Sequence, residues 1–400
     1  MKSIALARVT VVALLLAVML AGSIPSSMVS AQSGRQPPKK KVEKKTEEQK
    51  SGQPTQQDPQ EPPPPPVPKN IQNEPPIKIS TQVVNVEVTV IDKKSGRLYN
   101  KLNQKAFTIY EDGVKQEVTN FRSGEGPMTA VLLIENSYAN RRWQGYFNPS
   151  FAQEIFQSAA TFVRGFVKPE DHIAIVTYSM KPKVIQDFTG DGNRLYQAVV
   201  AAARDTLNFS EANIYDALGF VLLGGKAIQL FEEENGPSEY TGLEEVEGHT
   251  AVILITLGID TFSRLTYDKA MKIVKNAGVP VYAVGVGNLF YKKYGDRLPQ
   301  GSDPFPMAFL QLKTFADLSG GAYFPMTFEA EIPDIMHNIE VMLRGQYSLG
   351  YSPTNTRREG RERKIKVDVD VDGDGVADNK QLDLKFRQRY VEPDDNPKKK

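Results

Sequence analysis

A doubly wound, mostly parallel α/β sheet inserted between N- and C-terminal β segments is the fold class this sequence predicts, on three observations. Ala130-Val131-Leu132-Leu133-Ile134, inside the stretch TAVLLIENSYAN from Thr129 to Asn140, is an unbroken apolar run without alternation. Such a run fits a parallel strand covered on both faces. From there to about Arg344, strand-like and helix-like stretches alternate, as a sheet flanked by helices requires. Outside that region, at both ends, apolar residues recur with period two, the mark of strands with one face buried.

Taken in order, residues 1–31 read as a signal peptide. Lys2 and Arg8 give a positive start, Val9 to Ala21 is apolar but short for a membrane span, and Val29-Ser30-Ala31 offers a small-residue cleavage site. Residues 32–78, rich in Pro, Gln, Lys and Glu with an unbroken run Pro62 to Pro66, carry too little apolar surface to offset ordering entropy and read as a disordered tether. Residues 79–126 form an N-terminal β segment. Val84, Val86, Val88 and Val90 alternate with polar residues, giving a half-buried strand. Phe107 to Tyr110 is a second strand, and Asp112-Gly113 is a hairpin turn into Gln116 to Phe121.

Residues 127–345 form the α/β domain. Strand Ala130 to Ile134 leads to a helix near Phe151 to Val167, whose Phe151, Ile155, Ala159, Phe162 and Phe166 share one face. Strand Asp171 to Tyr178 is followed so closely by Lys183 to Phe188 that the pair must be antiparallel. Helices Arg194 to Asp205 and Ile214 to Phe231, strand Thr250 to Thr256, helix Arg264 to Ala277 and strand Val279 to Val286 come next. Helix Met307 to Leu318, strand Ala322 to Pro325 and helix Ala330 to Arg344 close the set. Residues 346–392 supply strands Gln346 to Tyr351, Lys364 to Val371 and Gln381 to Tyr390, which pair with the N-terminal strands in one small β-domain. Residues 393–400 are a disordered tail.

Composition excludes several functions. A formal net charge of +1, with basic runs only at Lys39 to Lys45 and Lys398 to Lys400, argues against nucleic acid as a partner. The absence of cysteine removes disulfides, thiolate metal sites and Cys nucleophiles. His172 and His249 begin strands, at the edge opposite the strand ends where a catalytic triad would assemble, and His337 lies in the last helix. None of the Gly clusters opens a phosphate loop.

This topology, with Ile134 leading into a loop bearing Ser137 and Ile255-Thr256-Leu257-Gly258 ending a later strand, resembles the von Willebrand factor type A domain, a Rossmann-like fold. The flanking AFTIYEDGVKQEVTNF (106–121) and QYSLGYSPTN (346–355) resemble exported bacterial proteins of the VWFA-related family, in which a small β region precedes the A domain and a YxLxY-type strand follows. The resemblance implies a divalent cation held by D-x-S-x-S, a Thr and an Asp at the sheet's C-terminal edge. Those positions fall here on Glu135, Ser137, Ala139, Ala212 and Leu257. Only Ser137 is unchanged. Ala139, Ala212 and Leu257 remove oxygens from a site that should offer a hard ion about six, though Asn213 or Asp260 could stand in from neighbouring positions.

Two further groups carry chemistry. Asp370, Asp372, Asp374 and Asp378 form D-x-D-x-D-G-x-x-D, which resembles the first part of a calcium loop and reads equally as a plain hairpin turn. The loops at the sheet's C-terminal edge gather Arg142, Trp143 and Tyr146 after the first strand, and Tyr291 and Lys292 after Val286, residue types enriched at interface hot spots. These rings could instead fold back over the domain's own helices. The expected function is an exported, non-enzymatic, protein-binding module of adhesion or scaffold type. Its A-domain site is degenerate and metal-free, with no cofactor beyond a structural calcium and no membrane span after signal cleavage. A cation-dependent adhesion module with a rearranged site is the alternative, separated by chelator sensitivity. A hydrolase is the second, for which Glu135 and Ser137 lack a His partner.

Overall fold

The computed structural model describes residues 83–124, 126–137, 150–204, 211–224, 242–246, 249–297 and 303–395. The stretches expected as signal peptide and tether, and residues 396–400 of the expected disordered tail, lie outside these residues; Pro393 to Asp395, expected in that tail, are instead held in place by backbone bonds to Gly360 and Arg358. Ile77–Lys400 forms one compact unit.

At its centre is a parallel sheet of β5 (Thr129–Glu135), β6 (His172–Tyr178), β8 (Thr250–Thr256), β9 (Val281–Gly285) and β10 (Ala322–Pro325), with β7 (Pro182–Thr189) as an antiparallel edge. Strand order is β10-β9-β8-β5-β6-β7. The chain runs outward from β5 to β6 and β7, then returns to the other side of β5 with β8. The crevice between the ends of β5 and β8 is therefore the topological switch point, the place where open α/β sheets bind ligands.

Both faces of the sheet are covered, which is why β5 does not alternate. Ala130, Leu132 and Ile134 pack with Ile155, Ala159 and Phe162 of α1 (Ser150–Phe166) and with Leu195 and Val199 of α2 (Gly192–Arg204). Met336 and Ile339 of α7 (Ile332–Arg344) complete that layer. Val131 and Leu133 face the other way, onto Leu218 and Val221 of α3 (Ile214–Leu223), Val274 of α4 (Tyr267–Ala277) and Phe315 of α6 (Phe305–Ser319).

Two of these helices differ from the sequence reading. Helix α3 was expected to reach Phe231, but it ends at Gly224, whose φ of 59° a side chain would resist. Helix α4 begins at Tyr267 instead of Arg264, because the Asp216 carboxylate accepts the Arg264 and Leu265 N–H groups (both 2.9 Å) and holds them in a loop. Thr266 then caps the helix.

The strands from the two ends of the chain form two four-stranded antiparallel sheets over a shared core. One is β13-β1-β11-β4, the other β14-β12-β2-β3. Their ranges are β1 (Val84–Asp92), β2 (Phe107–Glu111), β3 (Val114–Gln116), β4 (Val118–Arg122), β11 (Tyr347–Tyr351), β12 (Glu362–Val369), β13 (Leu382–Lys385) and β14 (Arg389–Val391). Val86, Val88 and Val90 meet Ile109, Leu349 and Val367 in that core. The stretches Gln116 to Phe121 and Gln381 to Tyr390, expected as one strand each, are divided between the two sheets. The chain crosses from one sheet to the other at Glu117 and again at Phe386–Gln388.

Strand β1 is a further correction. Its alternation reads as one buried and one solvated face, yet Glu87 and Thr89 on the polar face are also buried. That face is covered by the N-terminal edge of the α/β sheet, where His249 Nε2 lies 3.2 Å from the Ser123 carbonyl and Arg387 Nη1 donates to the Asn276 carbonyl at 3.1 Å.

Candidate functional site: the switch-point crevice

Glu135 ends β5 and Thr256 ends β8, so their side chains meet across the switch point. The Glu135 carboxylate is buried and accepts three hydrogen bonds from the protein itself: from the Ser137 hydroxyl at 2.5 Å, the Thr256 hydroxyl at 2.6 Å and the Leu257 N–H at 2.8 Å. Thr256 Oγ1 in turn accepts from the Tyr178 hydroxyl and the Gly258 N–H, both at 2.8 Å, so its donor and lone pairs are all used. Burial pushes the Glu135 carboxyl above its ordinary value, and the Ser137, Thr256 and Leu257 donors pull it partly back. Burial, and then the neighbouring Glu135 carboxylate, likewise raise the Tyr178 phenol.

Beside this network the β8–α4 loop is fastened to the start of α3. Ala212 N–H donates to Thr261 Oγ1 at 2.8 Å, and Asn213 Oδ1 accepts the Phe262 N–H at 3.0 Å. The Asn213 amide donates to the Met180 carbonyl at 2.9 Å, and Asp260 accepts the Ser263 hydroxyl at 2.5 Å. Asn213 and Asp260, the neighbouring residues expected to stand in for a lost cation ligand, are thus engaged within the protein. Leu257 is buried in the apolar layer with Val286 and Leu289. Ala139 lies outside the described residues.

Of the hot-spot residues read from sequence, Arg142, Trp143 and Tyr146 lie outside the described residues. Tyr291 and Lys292 do not occupy a loop, as expected, but a helix, α5 (Gly287–Tyr294), which starts against the Leu257 carbonyl where only glycine fits. Phe290 of α5 is buried and its ring lies 5.0 Å from that of Phe305. Tyr291 meets Phe309 edge-on at 5.8 Å, and Lys292 Nζ sits 3.4 Å over the Phe328 ring. The folding back of rings over the domain's own helices therefore holds for Phe290 and in part for Tyr291. Sequence reasoning missed other candidates. Phe262 is 72% exposed on the β8–α4 loop, and Met307 (59%) and Leu310 (57%) lie one turn apart on α6. An aromatic between Thr261 and Ser263, in a stretch otherwise read as a polar connection, was the available signal.

The acidic hairpin between β12 and β13 is ordered by its own carboxylates. Asp370 accepts the Gly373 and Gly375 N–H groups at 2.7 and 2.8 Å, Asp374 accepts that of Val376 at 2.7 Å, and Asp378 that of Val371 at 2.9 Å. The Gly375 N–H is the main reason the Asp370 carboxyl sits below its ordinary value. Asp370, Asp372 and Asp374 bring one oxygen each within 4.8 Å of one another; Asp378 is not part of that group.

The family model of the von Willebrand factor type A domain matches residues 142–320. That match, over a little under half of the chain, places a von Willebrand factor type A domain in the region of the central α/β sheet. The match begins after Glu135 and Ser137. Among solved structures, the chain is similar to a von Willebrand factor type A protein from Catenulispora acidiphila at 11% identity, covering 72% of this chain and 74% of that one with a TM-score of 0.38. It is also similar to an aerotolerance-related membrane protein from Bacteroides fragilis (15% identity, 55% and 98% covered, TM-score 0.35). A third likeness is to proximal thread matrix protein 1 from the mussel byssus (15% identity, TM-score 0.35), covering 55% of this chain and only 48% of that one. No curated protein matches the chain. Among the described residues, no helix is long and apolar enough to cross a membrane.

Proposed function

We propose that this is an exported, non-enzymatic protein-binding module whose A domain recognises a protein partner at the C-terminal edge of its sheet without a divalent cation. The observation that carries the reading is the triply bonded Glu135 carboxylate. In the cation-dependent arrangement, that edge offers outward oxygens to a metal. Here Ser137 and Thr256 turn their hydroxyls onto Glu135, and Ala212 and Leu257 contribute no side-chain oxygen. This donor set does not fit a hard divalent ion, which needs about six oxygens in a regular array. Nor does it resemble a hydrolytic centre, since Ser137 donates to a carboxylate and His249 lies at the opposite edge of the sheet.

Recognition then rests on apolar, aromatic and basic groups around that edge. Phe262 and the Met307–Leu310 pair are exposed there, and Arg142 and Trp143 follow β5 in sequence. Von Willebrand A domains are interaction modules, and residues 1–31 support export. The three converging aspartates of the hairpin favour one added feature, a structural calcium that would rigidify the β-domain.

The test is capture of partners from a native envelope fraction by the wild-type chain and by Trp143→Ala, with and without EDTA. Trp143→Ala should weaken capture by roughly thirty-fold, the usual scale for losing a central Trp anchor, while EDTA leaves it intact. Loss of capture in EDTA that Mg²⁺ restores would overturn the reading.

A further inference from the structure

The joint between the β-domain and the A domain is polar and under-bonded. Strand β1 turns Val86, Val88 and Val90 into its own core and Glu87 and Thr89 the other way, toward His249 just before β8 and Tyr282 of β9. All four are buried. Among the described residues, Glu87 Oε2 and His249 Nδ1 have no hydrogen-bond partner, and neither do the Gln346 amide and Arg387 Nε, while the Thr89 and Tyr282 hydroxyls have only each other. Buried polar atoms in native proteins are nearly always paired, so a group of them at one joint calls for a cause.

The geometry around His249 supplies one. Its Nε2 lies 3.2 Å from the Ser123 carbonyl, which can only accept, so Nε2 carries the hydrogen and Nδ1 presents a lone pair. That lone pair faces Glu87 Oε2 at 3.8 Å. An ionised carboxylate there would set two acceptors against each other in a buried site; a proton between them makes donor and acceptor. We propose that one proton, held on Glu87 and facing the His249 Nδ1 lone pair, is a built-in part of this joint, and that its loss loosens the β-domain from the A domain.

The surroundings agree. Ser348 of β11 lies beside Glu87, Arg122 of β4 and Arg387 after β13 are the nearest cations, and Tyr282 faces it from β9. The two Nη groups of Arg387 donate to the Asn276 and Asn85 carbonyls. Burial outweighs the Ser348 hydrogen bond and both cations and raises the Glu87 carboxyl to about 8, while burial lowers His249 from 6.5. Tyr282, raised by burial, stays protonated throughout.

The sign follows from proton counting. Between the ordinary values of 4.5 for Glu87 and 6.5 for His249, the open joint holds imidazolium and carboxylate, and the closed joint holds imidazole and carboxylic acid. Where the lowered imidazole is neutral, closing moves the proton from His249 to Glu87 and exchanges none with solvent, so closure varies little with pH just below 6.5. From 6.5 to about 8 the open joint holds neutral His249 and ionised Glu87, and closing takes up one proton. Closure therefore weakens by up to about tenfold per pH unit, roughly thirty-fold over that window, and levels off above it.

The chain has no cysteine, so Thr89→Cys in the full-length protein is a clean reporter of opening. Its thiol-labelling rate, divided at each pH by that of an unfolded peptide with the same cysteine, should rise roughly thirty-fold from pH 6.5 to 8. Adding Glu87→Gln should abolish the rise. Infrared difference spectra between pH 6.5 and a pH above 8 should show the loss of a carboxylic acid carbonyl component that Glu87→Gln lacks and Glu135→Gln keeps, a reading that does not depend on the reporter. Equal pH courses with and without Glu87→Gln, opening that grows toward acid instead, or absence of that component would overturn the proposal.

Discussion

The Tyr351 hydroxyl donates to Glu111 Oε2 at 2.7 Å, joining strands 240 residues apart in sequence. The Tyr390 hydroxyl donates to the same oxygen at 2.7 Å, and Arg363 Nη1 reaches Oε1 at 2.6 Å. Arg363 also pairs with Glu392 and donates to the Asn355 carbonyl at 2.8 Å. Glu111 belongs to the first flanking motif and Tyr351 to the second, so these motifs are two halves of one buried polar cluster that closes the β-domain around the inserted A domain. Glu111→Ala leaves a buried guanidinium short of a counter-charge and two phenols without an acceptor. It should cost about 3 to 5 kcal/mol in denaturant unfolding of the β-domain, and Tyr351→Phe about 1 to 3. A loss under about 1 kcal/mol for Glu111→Ala would speak against the cluster as the closure.

Glu135 should behave as a structural carboxylate. Replacing it with Ala strands the Leu257 N–H and the Thr256 hydroxyl and should destabilise the A domain by about 1 to 3 kcal/mol. Its carboxyl is raised on folding, so the folded state holds the proton more tightly than the unfolded one. The stability it contributes therefore declines as pH rises from the ordinary carboxylate value of 4.5 through the raised one. Glu135→Gln should flatten that part of the stability profile. Unfolding curves across this pH range check it, and an unchanged slope in Glu135→Gln would count against the assignment.

Much of this was legible in the chain. The unalternating Ala130 to Ile134 run announced a strand covered on both faces, and the short gap from Tyr178 to Lys183 announced the antiparallel edge strand. What stayed hidden depends on distant partners. A period-two pattern says that Gln116 to Phe121 is extended but carries no mark of which sheet each half joins. Glu87 and Thr89 read as solvated because nothing local shows that the A domain covers them. Helix α5 looked like a loop because its rings suggested an exposed patch, whereas Phe290 is held inward by Phe305. At the site, the losses at Ala212 and Leu257 were visible. That Glu135 turns inward onto Thr256 and Leu257 was not, since it follows from the pairing of β5 with β8.

The acidic hairpin should bind calcium as a structural ion. In protein stripped of metal, calcium at about one hundred times its dissociation constant should add about 2.7 kcal/mol and raise the melting temperature accordingly. Asp374→Asn, which removes one of the three converging carboxylates, should weaken the effect strongly. A calcium titration that leaves the melting temperature unchanged would leave the hairpin a turn held by its own Asp to N–H bonds.

Phe262 should contribute to partner binding, being exposed on the loop that Asn213 fastens to α3. Phe262→Ser should lower affinity for a captured partner about tenfold while leaving the melting temperature within about 1 °C, because the ring packs against little of its own domain. A large fall in melting temperature would show that the ring serves the fold.

The most direct measurement of cation-free recognition is a titration of metal-stripped full-length protein with Mg²⁺ and Mn²⁺, made on Asp374→Asn so that the hairpin is silent, and followed by melting temperature. The expected result is no concentration-dependent shift, because Ser137 and Thr256 already spend their hydroxyls on Glu135. A saturable rise that disappears in Ser137→Ala would contradict the account and return the divalent ion to the switch-point crevice.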